Sequence, residues 1–570
     1  MNMKLKKLVP LLALLVLVSS SINAWSADDN ASGQEATANT TSTAETTAPE
    51  NVAGESGAIA TTASTSEATA PENAAGENDT VAATASEPVN AGDTGAVEAL
   101  QEPFDPFNVI VYKPLWALTS AIGDFNPIGK HVSAPLEESV PGLRVKGFIN
   151  SITQVNTTST DHNTGLGGRN KDWRLQKQEF RTQLELKYQA NENIEFVNVN
   201  NFQYDGAYDF QDSDGLYTDG SSNQKYYSQF KRIVREAYVR GNYGNVNFTL
   251  GKQIVNWGKM DGKVIDFVNA ADGRDVVDFH IGDYEWRAIG QWMANVSLRP
   301  TENFTTTLLW NPDFQPNVGP AGGSPWWFPF AQSPVSSAQR PPERNPSGFD
   351  RLADSEGGVR VDTTIGALSL SGIYYNGFDR DAVFNTSDNT LHHTRLNRYG
   401  YALDYGTSVF GQRLIIRSEA LYSHGKAFGT SDPSAPGGIV KKDQLKLAVA
   451  FETSVGSDEN KIDILYQPIW TRQLGWDSRT GAKLNDLLHV VNLSHSVRKT
   501  NDRLKLSTTG YISGGSGYDG LSYNVSAGWK FNDFLKATLA YNDFVGKDDD
   551  IPWGAYRKWK NVTLDVKYEF

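Results

Sequence analysis

From Phe180 to Tyr188 the chain reads FRTQLELKY, and apolar and polar side chains take strict turns. Phe180, Thr182, Leu184, Leu186 and Tyr188 share one side of an extended strand, and Arg181, Gln183, Glu185 and Lys187 share the other. A period of two with charges on one side predicts one face in a dry medium and one in water. The pattern returns in NVNFTLG (Asn245–Gly251), QLKLAVAFE (Gln444–Glu452), LSYNVSAGWKF (Leu521–Phe531), LKATLAY (Leu535–Tyr541) and NVTLDVKYEF (Asn561–Phe570).

The connections sort by length. Short turns are expected at Ala190–Asn193, Asn242–Asn245, Pro300–Asn303, Ile365–Ala367, Val409–Gln412, Val455–Asn460, Thr500–Asp502 and Asn532–Asp533. Long loops fall between them, near 156–172, 205–226, 256–287, 312–356, 377–394, 425–441, 473–486, 513–520 and 545–558. Eight short turns and nine long loops separate eighteen strands, with sixteen as the alternative. Turns sorted to one side and loops to the other predict an all-β transmembrane antiparallel barrel over 143–570. Closure follows, because an open edge in hydrocarbon leaves unpaired backbone groups at several kcal/mol each. An even strand number puts both ends of the barrel on the short-turn side.

The segment NVTLDVKYEF is expected to close the barrel against the first strand. It resembles the ending of many bacterial outer-membrane proteins, with alternating apolar residues before an aromatic, usually Phe. The resemblance implies the outer membrane of a Gram-negative bacterium, with its lipid and lipopolysaccharide around the barrel. It also implies that the barrel-assembly machinery reads Phe570. A second resemblance lies in REAYVRGNYGNVNFTLGKQIVNWGKMDG, Arg235–Gly262. Arg235, Glu236, Ala237 and Tyr238, then Gly251, Lys252, Gln253, Trp257 and Gly258, look like a hairpin of a poorly characterised family of proteobacterial outer-membrane barrels. That family implies a barrel and points to movement of hydrophobic or lipid-like compounds.

Composition adjusts the picture at the N-terminal side. Lys4, Lys6 and Lys7 precede the apolar run Leu8–Val18, and 1–27 reads as an export signal. That run is shorter than the ~20 residues a spanning helix needs. Mean hydropathy of -0.44 excludes a helical membrane protein, but not a barrel, whose strands show lipid every second residue. Aromatics make up 11% of the chain, enough to line two membrane interfaces. There is no cysteine, so neither lipidation at a cysteine nor a disulfide framework is available.

Residues 28–100 hold thirteen acidic and no basic residues and almost no large apolar ones. Such a stretch is expected to be disordered. Its repeat, TAPENVAGES and TAPENAAGEN, has no apolar face to stack. Residues 101–142 are apolar and aromatic, and are expected to be a packed lead-in outside the barrel sheet or a plug-like segment. The remaining 101–570 carries 49 basic and 53 acidic residues, so the net charge of -14 belongs mostly to the tail. No basic stripe suggests nucleic acid.

Candidate chemistry sits in the loops and on the water-facing wall. The third long loop carries Lys259, Asp261, Arg274, Asp275, Asp278 and Arg287. In porins, which the chain resembles in loop order, the third loop folds inward; the alternative is a solvated surface loop with ordinary ion pairs. With the loop folded inward, these charges would face wall residues such as Arg181, Glu185 and Lys187, or Arg417 and Glu419, and set a selective field. The stretch DGRDVVD (Asp272–Asp278) offers carboxylates that suit calcium, but its spacing matches no calcium loop, and no metal is expected. In the fourth long loop, SPWWFPF presents Trp326, Trp327, Phe328 and Phe330, candidates to capture an apolar or sugar-like ligand. His489 and His495 fall on the apolar face, too far apart to share a metal.

No nucleophile elbow, phosphate loop or zinc motif appears, so neither an enzyme nor a cofactor is expected. The leading expectation is an outer-membrane channel for passive passage of small solutes, polar or hydrophobic. The alternative is a sealed barrel acting as an adhesin, receptor or envelope anchor.

Overall fold

The computed structural model describes residues 113–570 except 159–173, 211–227, 261–263, 266, 275–283, 321–340, 431, 433, 458–460, 481–484, 516–519 and 548–552. The expected signal, the acidic tail and the first part of the lead-in lie outside the described residues. So do Asp261, Asp275, Asp278, Trp326, Trp327, Phe328 and Phe330.

Eighteen strands form one antiparallel sheet. They are β1 (Leu143–Asn156), β2 (Leu175–Asn191), β3 (Ile194–Asp205), β4 (Val234–Tyr243), β5 (Val246–Gln253), β6 (Gln291–Thr301), β7 (Phe304–Asn311), β8 (Glu356–Ile365) and β9 (Leu368–Phe378). The circuit continues through β10 (Arg395–Val409), β11 (Gln412–Phe428), β12 (Val440–Val455), β13 (Ile462–Leu474), β14 (Asn485–Val497), β15 (Leu504–Gly515), β16 (Gly520–Lys530), β17 (Leu535–Val545) and β18 (Asn561–Glu569). Each pairs with its neighbour in sequence, and β1 pairs with both β2 and β18, so the sheet is closed. The eighteen expected strands and all eight short turns are present, including the weakly patterned β8.

Cross-strand partners point the same way, so register sorts the wall. Leu539, Leu564, Val525, Leu308 and Phe196 project outward and are exposed, giving the barrel an apolar exterior. A closed sheet with such an exterior has satisfied its backbone internally and shows hydrocarbon-like side chains to its surroundings. The exceptions on the outer face of β1–β3 are internally bonded: Thr153 donates to Gln178 at 2.9 Å, and Asn200 to Asn198 at 2.5 Å. His489 stacks on Tyr466 and bonds its hydroxyl at 2.9 Å, also on the outer face.

The seam explains why NVTLDVKYEF ends as it does. Gly147 and Phe570 exchange two backbone hydrogen bonds, of 3.0 and 2.9 Å. A Cβ at Gly147 would lie 2.6 Å from the Phe570 ring and 2.3 Å from the Gln183 carbonyl oxygen. Glycine therefore leaves a notch in β1 that the aromatic ring fills.

The described lead-in runs along the outer wall at the short-turn end, not through the lumen. Its helix α1 (Lys113–Ile122) packs Leu115, Trp116 and Ile122 against Val497, Leu504, Trp529, Phe531, Leu535 and Ala537. Register puts Leu504, Trp529 and Ala537 on the outer face. The plug-like placement is thus corrected for residues 113–142: the apolar pattern that suggested packing is satisfied by the exterior. Tyr568 donates to Asn126 Oδ1 at 2.7 Å and accepts the Ile128 N–H at 3.1 Å. Tyr568→Phe removes both bonds, ~1 kcal/mol each. It is expected to lower the temperature at which the folded gel band converts to the unfolded one.

Candidate functional site: the lumen and its third loop

The third long loop joins β5 to β6, and its described residues lie inside the barrel. Its first half presses Val255, Trp257, Met260, Val264, Ile265 and Val268 into a buried apolar cluster. The wall supplies Met293, Leu309, Ile373, Tyr375, Ala402, Leu421, Ala448, Ala450, Ile469 and Val490. Trp257 meets Tyr375 edge-on at 6.0 Å, and Phe267 meets the same ring at 5.3 Å. The last long loop adds Trp553, Tyr556 and Trp559. Trp553 donates its indole N–H to Ser513 Oγ at 2.8 Å, and burial pushes the Tyr556 phenol well above its ordinary value. Water-facing strand positions are therefore apolar over much of β6–β15.

Glu419, on the inner face of β11, anchors this loop. It is 0% exposed. Its Oε1 accepts the Met260 N–H at 2.9 Å and also the Lys259 N–H, and its Oε2 accepts the Ile265 N–H at 3.1 Å. A carboxylate has acceptor capacity for three donors, and bonds to a charged acceptor are the stronger kind. Nearby, Arg360 donates to the Trp257 carbonyl at 2.6 Å, and Lys259 Nζ bonds Ser369 Oγ at 2.5 Å and lies 3.9 Å from Asp404.

The other candidate charges pair locally. Arg417 holds Asp404 at 3.1 Å and also Glu452, on the two flanking strands. Lys187 pairs with Glu185 at 2.5 Å, two positions along β2. Arg181 pairs with Glu179 at 2.7 Å and sits 5.2 Å from the Trp286 ring of the third loop. Arg274 chelates Asp272 with its Nε at 2.8 Å, and Arg287 donates to the Asp272 carbonyl at 3.0 Å. Burial acts to raise the Asp272 carboxyl, but the Arg274 guanidinium outweighs it and holds the group below the ordinary range. Of the third-loop charges, Lys259 approaches a wall carboxylate, that of Asp404.

The second half of the loop closes a basic recess. Lys231, Arg232, Arg235, Lys252, Arg274 and Arg287 line it, with Asp272, Trp286, Asn201 and Gln203, around a half-open volume of about 60 Å³. Burial and the Arg232 charge push the Lys231 ammonium below its ordinary value. In the sequence Arg235 and Lys252 stand out only as members of the hairpin motif, and Lys231 and Arg232 do not stand out at all. FKRIVR places three of them within six residues, a signal hidden by the turn from a short helix, Phe230–Ile233, into β4.

A second charged cluster was also missed. Arg380 donates to Glu356 at 2.6 Å and to the Val268 carbonyl at 2.8 Å, tying the third loop to the start of β8. Asp379 takes Lys426 at 2.5 Å and Arg398 at 3.8 Å. Burial raises the Asp379 carboxyl, yet Lys426 and Arg398 overcome it, and the net shift is downward. A carboxyl held below its unfolded value stabilises above ~3.9 and stops doing so as pH falls through its lower folded value. Proteolytic nicking of 379–394 by an acid-active protease is therefore expected to rise only below about pH 4.

This geometry defines a closed β-barrel whose lumen is crossed by an inward-folded loop. The chain belongs to the family described as "Protein of unknown function (DUF1302)", whose model matches residues 7–329. No curated protein sequence matches it. Among solved structures, the chain is similar to OpdK of Pseudomonas aeruginosa with vanillate, at 8% identity and a TM-score of 0.42 over 76% of this chain and 99% of that one. It is also similar to OccK8 (OprE) of Pseudomonas aeruginosa, at 10% identity and 0.44 over 76% and 98%. Salmonella typhi OmpF in complex with daunomycin matches at 9% and 0.37 over 75% and 98%. The closed eighteen-strand sheet rests on its own strand pairing.

Proposed function

We propose that this barrel is an outer-membrane channel for passive passage of small amphipathic anions. The apolar exterior and closed sheet support a membrane-spanning role. The observation that carries the solute class is the two-sided third loop: one half packs an apolar cluster against the wall and leaves Phe267 at its edge, and the other borders a recess lined by six cationic side chains. An anionic head follows the cations while an apolar body follows the partly exposed Phe267, Leu465 and Leu488 at the edge of the apolar cluster. Opposed apolar and basic surfaces in a low-dielectric passage select such solutes over small inorganic cations.

Planar-bilayer recording tests the reading. Discrete conductance steps are expected, with anions preferred. The pair Arg274→Gln and Arg287→Gln is expected to lower the anion-to-cation permeability ratio ~3-fold or more, through loss of local positive potential. Unchanged selectivity would remove the recess from the path. The buried aromatics Trp553, Tyr556 and Trp559 inside the barrel favour a second reading, a sealed barrel that binds through its outer loops. A properly folded, reconstituted barrel with no conductance would establish that reading over the channel.

A further inference from the structure

The described lead-in, 113–142, has two faces. Its inner face is committed to the barrel. Trp529 donates its indole N–H to Thr119 Oγ1 at 2.8 Å, and the Arg503 guanidinium lies 5.5 Å from the Trp116 ring. The Asn532 side-chain amide donates to the carbonyls of Gly123 and Phe125 at 3.0 and 3.2 Å. Phe125 meets Tyr568 at 5.9 Å. Beyond the seam, Glu137 accepts the Val145 N–H at 2.7 Å, and the Gly142 carbonyl accepts the Gln189 N–H at 2.8 Å. The segment therefore crosses the short-turn end from β14–β15 past β18 and over to β1 and β2.

The side turned away from the barrel is exposed among the described residues and sets apolar side chains beside polar ones such as His131, Glu138 and Ser139. Leu118 is 49% exposed, Val132 47%, Leu136 43% and Val140 40%, joined by exposed Ala117 and Ala121. Lys130 and Asp124 on this segment neutralise each other at 2.5 Å. Two positions along the strands on which the helix packs, Leu506 and Leu539 are exposed on the same outer face, followed by Val525 and Leu564. Aromatic side chains collect where it meets the wall: Trp116, Phe125, Trp529 and Tyr568. Apolar surface on one side and an aromatic collar at the rim is the arrangement of a helix lying in a membrane interface.

We propose that residues 113–142 form an interfacial strap. It straddles the barrel seam on the short-turn side and lays its Leu118–Val132–Leu136–Val140 face against phospholipid acyl chains. The occupant is lipid rather than a second protein, because the helix packs on outer-face Leu504, Trp529 and Ala537, and two positions along the same strands Leu506, Ala527 and Leu539 are exposed on the barrel's apolar exterior. The inference rests on the membrane-barrel reading above.

The chain has no cysteine, so single probes are clean. Leu118→Cys, Leu136→Cys, Leu539→Cys and Lys499→Cys, each in the full chain, are labelled with a small fluorophore. Each is then reconstituted into phosphatidylcholine–phosphatidylglycerol vesicles carrying brominated acyl chains. Probes at 118 and 136 are expected to be quenched by the brominated lipid to within ~2-fold of the probe at 539, and the probe at 499, on a short turn, by aqueous iodide instead. Lipid quenching at 539 with iodide quenching at 118 and 136 would overturn the strap and leave the barrel standing. Quenching by neither agent at 118 and 136, with cross-linking between copies, would also overturn it and assign the face to a protein contact. Absence of lipid quenching at 539 would overturn the membrane barrel itself, and the strap with it.

Discussion

Replacing Glu419 by alanine is expected to free the third loop and raise single-channel conductance while the barrel stays closed. The carboxylate accepts three backbone N–H groups from Lys259, Met260 and Ile265. Bonds to a charged acceptor contribute ~1.5–3 kcal/mol each, so their loss removes roughly 4 kcal/mol or more from the anchoring of the loop. At 1.4 kcal/mol per decade, this shifts the seated-to-released ratio by about a thousandfold. The apolar contacts of Trp257, Ile265 and Phe267 remain and keep the released loop inside the lumen, so the expected record is larger, noisier steps rather than a wide-open pore. Arg417→Ala serves as the contrast, since Arg417 pairs with Asp404 and Glu452 on the wall and does not touch the loop in the described contacts. Equal conductance in Glu419→Ala and the unaltered protein, with the loop still protected from protease, would show that apolar packing alone seats it.

The second large effect is at the seam. Gly147→Val places side-chain carbon where the Phe570 ring and the Gln183 carbonyl oxygen already lie, at 2.6 and 2.3 Å from a Cβ. Overpacking by itself costs ~1–3 kcal/mol. Here it also displaces the two Gly147–Phe570 backbone bonds, and groups unpaired in hydrocarbon cost several kcal/mol each. The folded, heat-modifiable fraction is expected to fall severalfold. Phe570→Ala keeps the backbone bonds and vacates only the notch, so its loss should be smaller. A Gly147→Val barrel that assembles in normal yield would mean the seam closes without this fit.

Legibility followed the physical period of each feature. The strands, their parity and all eight short turns could be read because lipid and water impose a period of two, and short turns break it. The inward fold of the third loop was one of two readings, the other a solvated surface loop. What holds it was not legible, because Glu419 acts on backbone N–H groups, which leave no mark in a sequence. Glu419 looked like a charge for another charge. The charges of the loop and wall were expected to oppose one another across a passage, and most of the described ones pair with a neighbour along or beside their own element. Arg380 and Glu356 were overlooked because 24 residues and a loop separate them, although together they tie Val268 to β8.

The sequence by itself determined which half of each strand is apolar and where the ring of strands closes, and it narrowed the strand number to eighteen or sixteen. These follow from local alternation and from the requirement that no backbone edge be left open. Only the tertiary structure decided that the lead-in lies on the outer wall, and that inner-face residues such as Ile373, Ala402, Leu421 and Ile469 meet an apolar loop. An apolar side chain at an inward position reads the same whether it faces water, a ligand or Trp257. What it touches depends on which distant segment is folded back against it, and no local period records that.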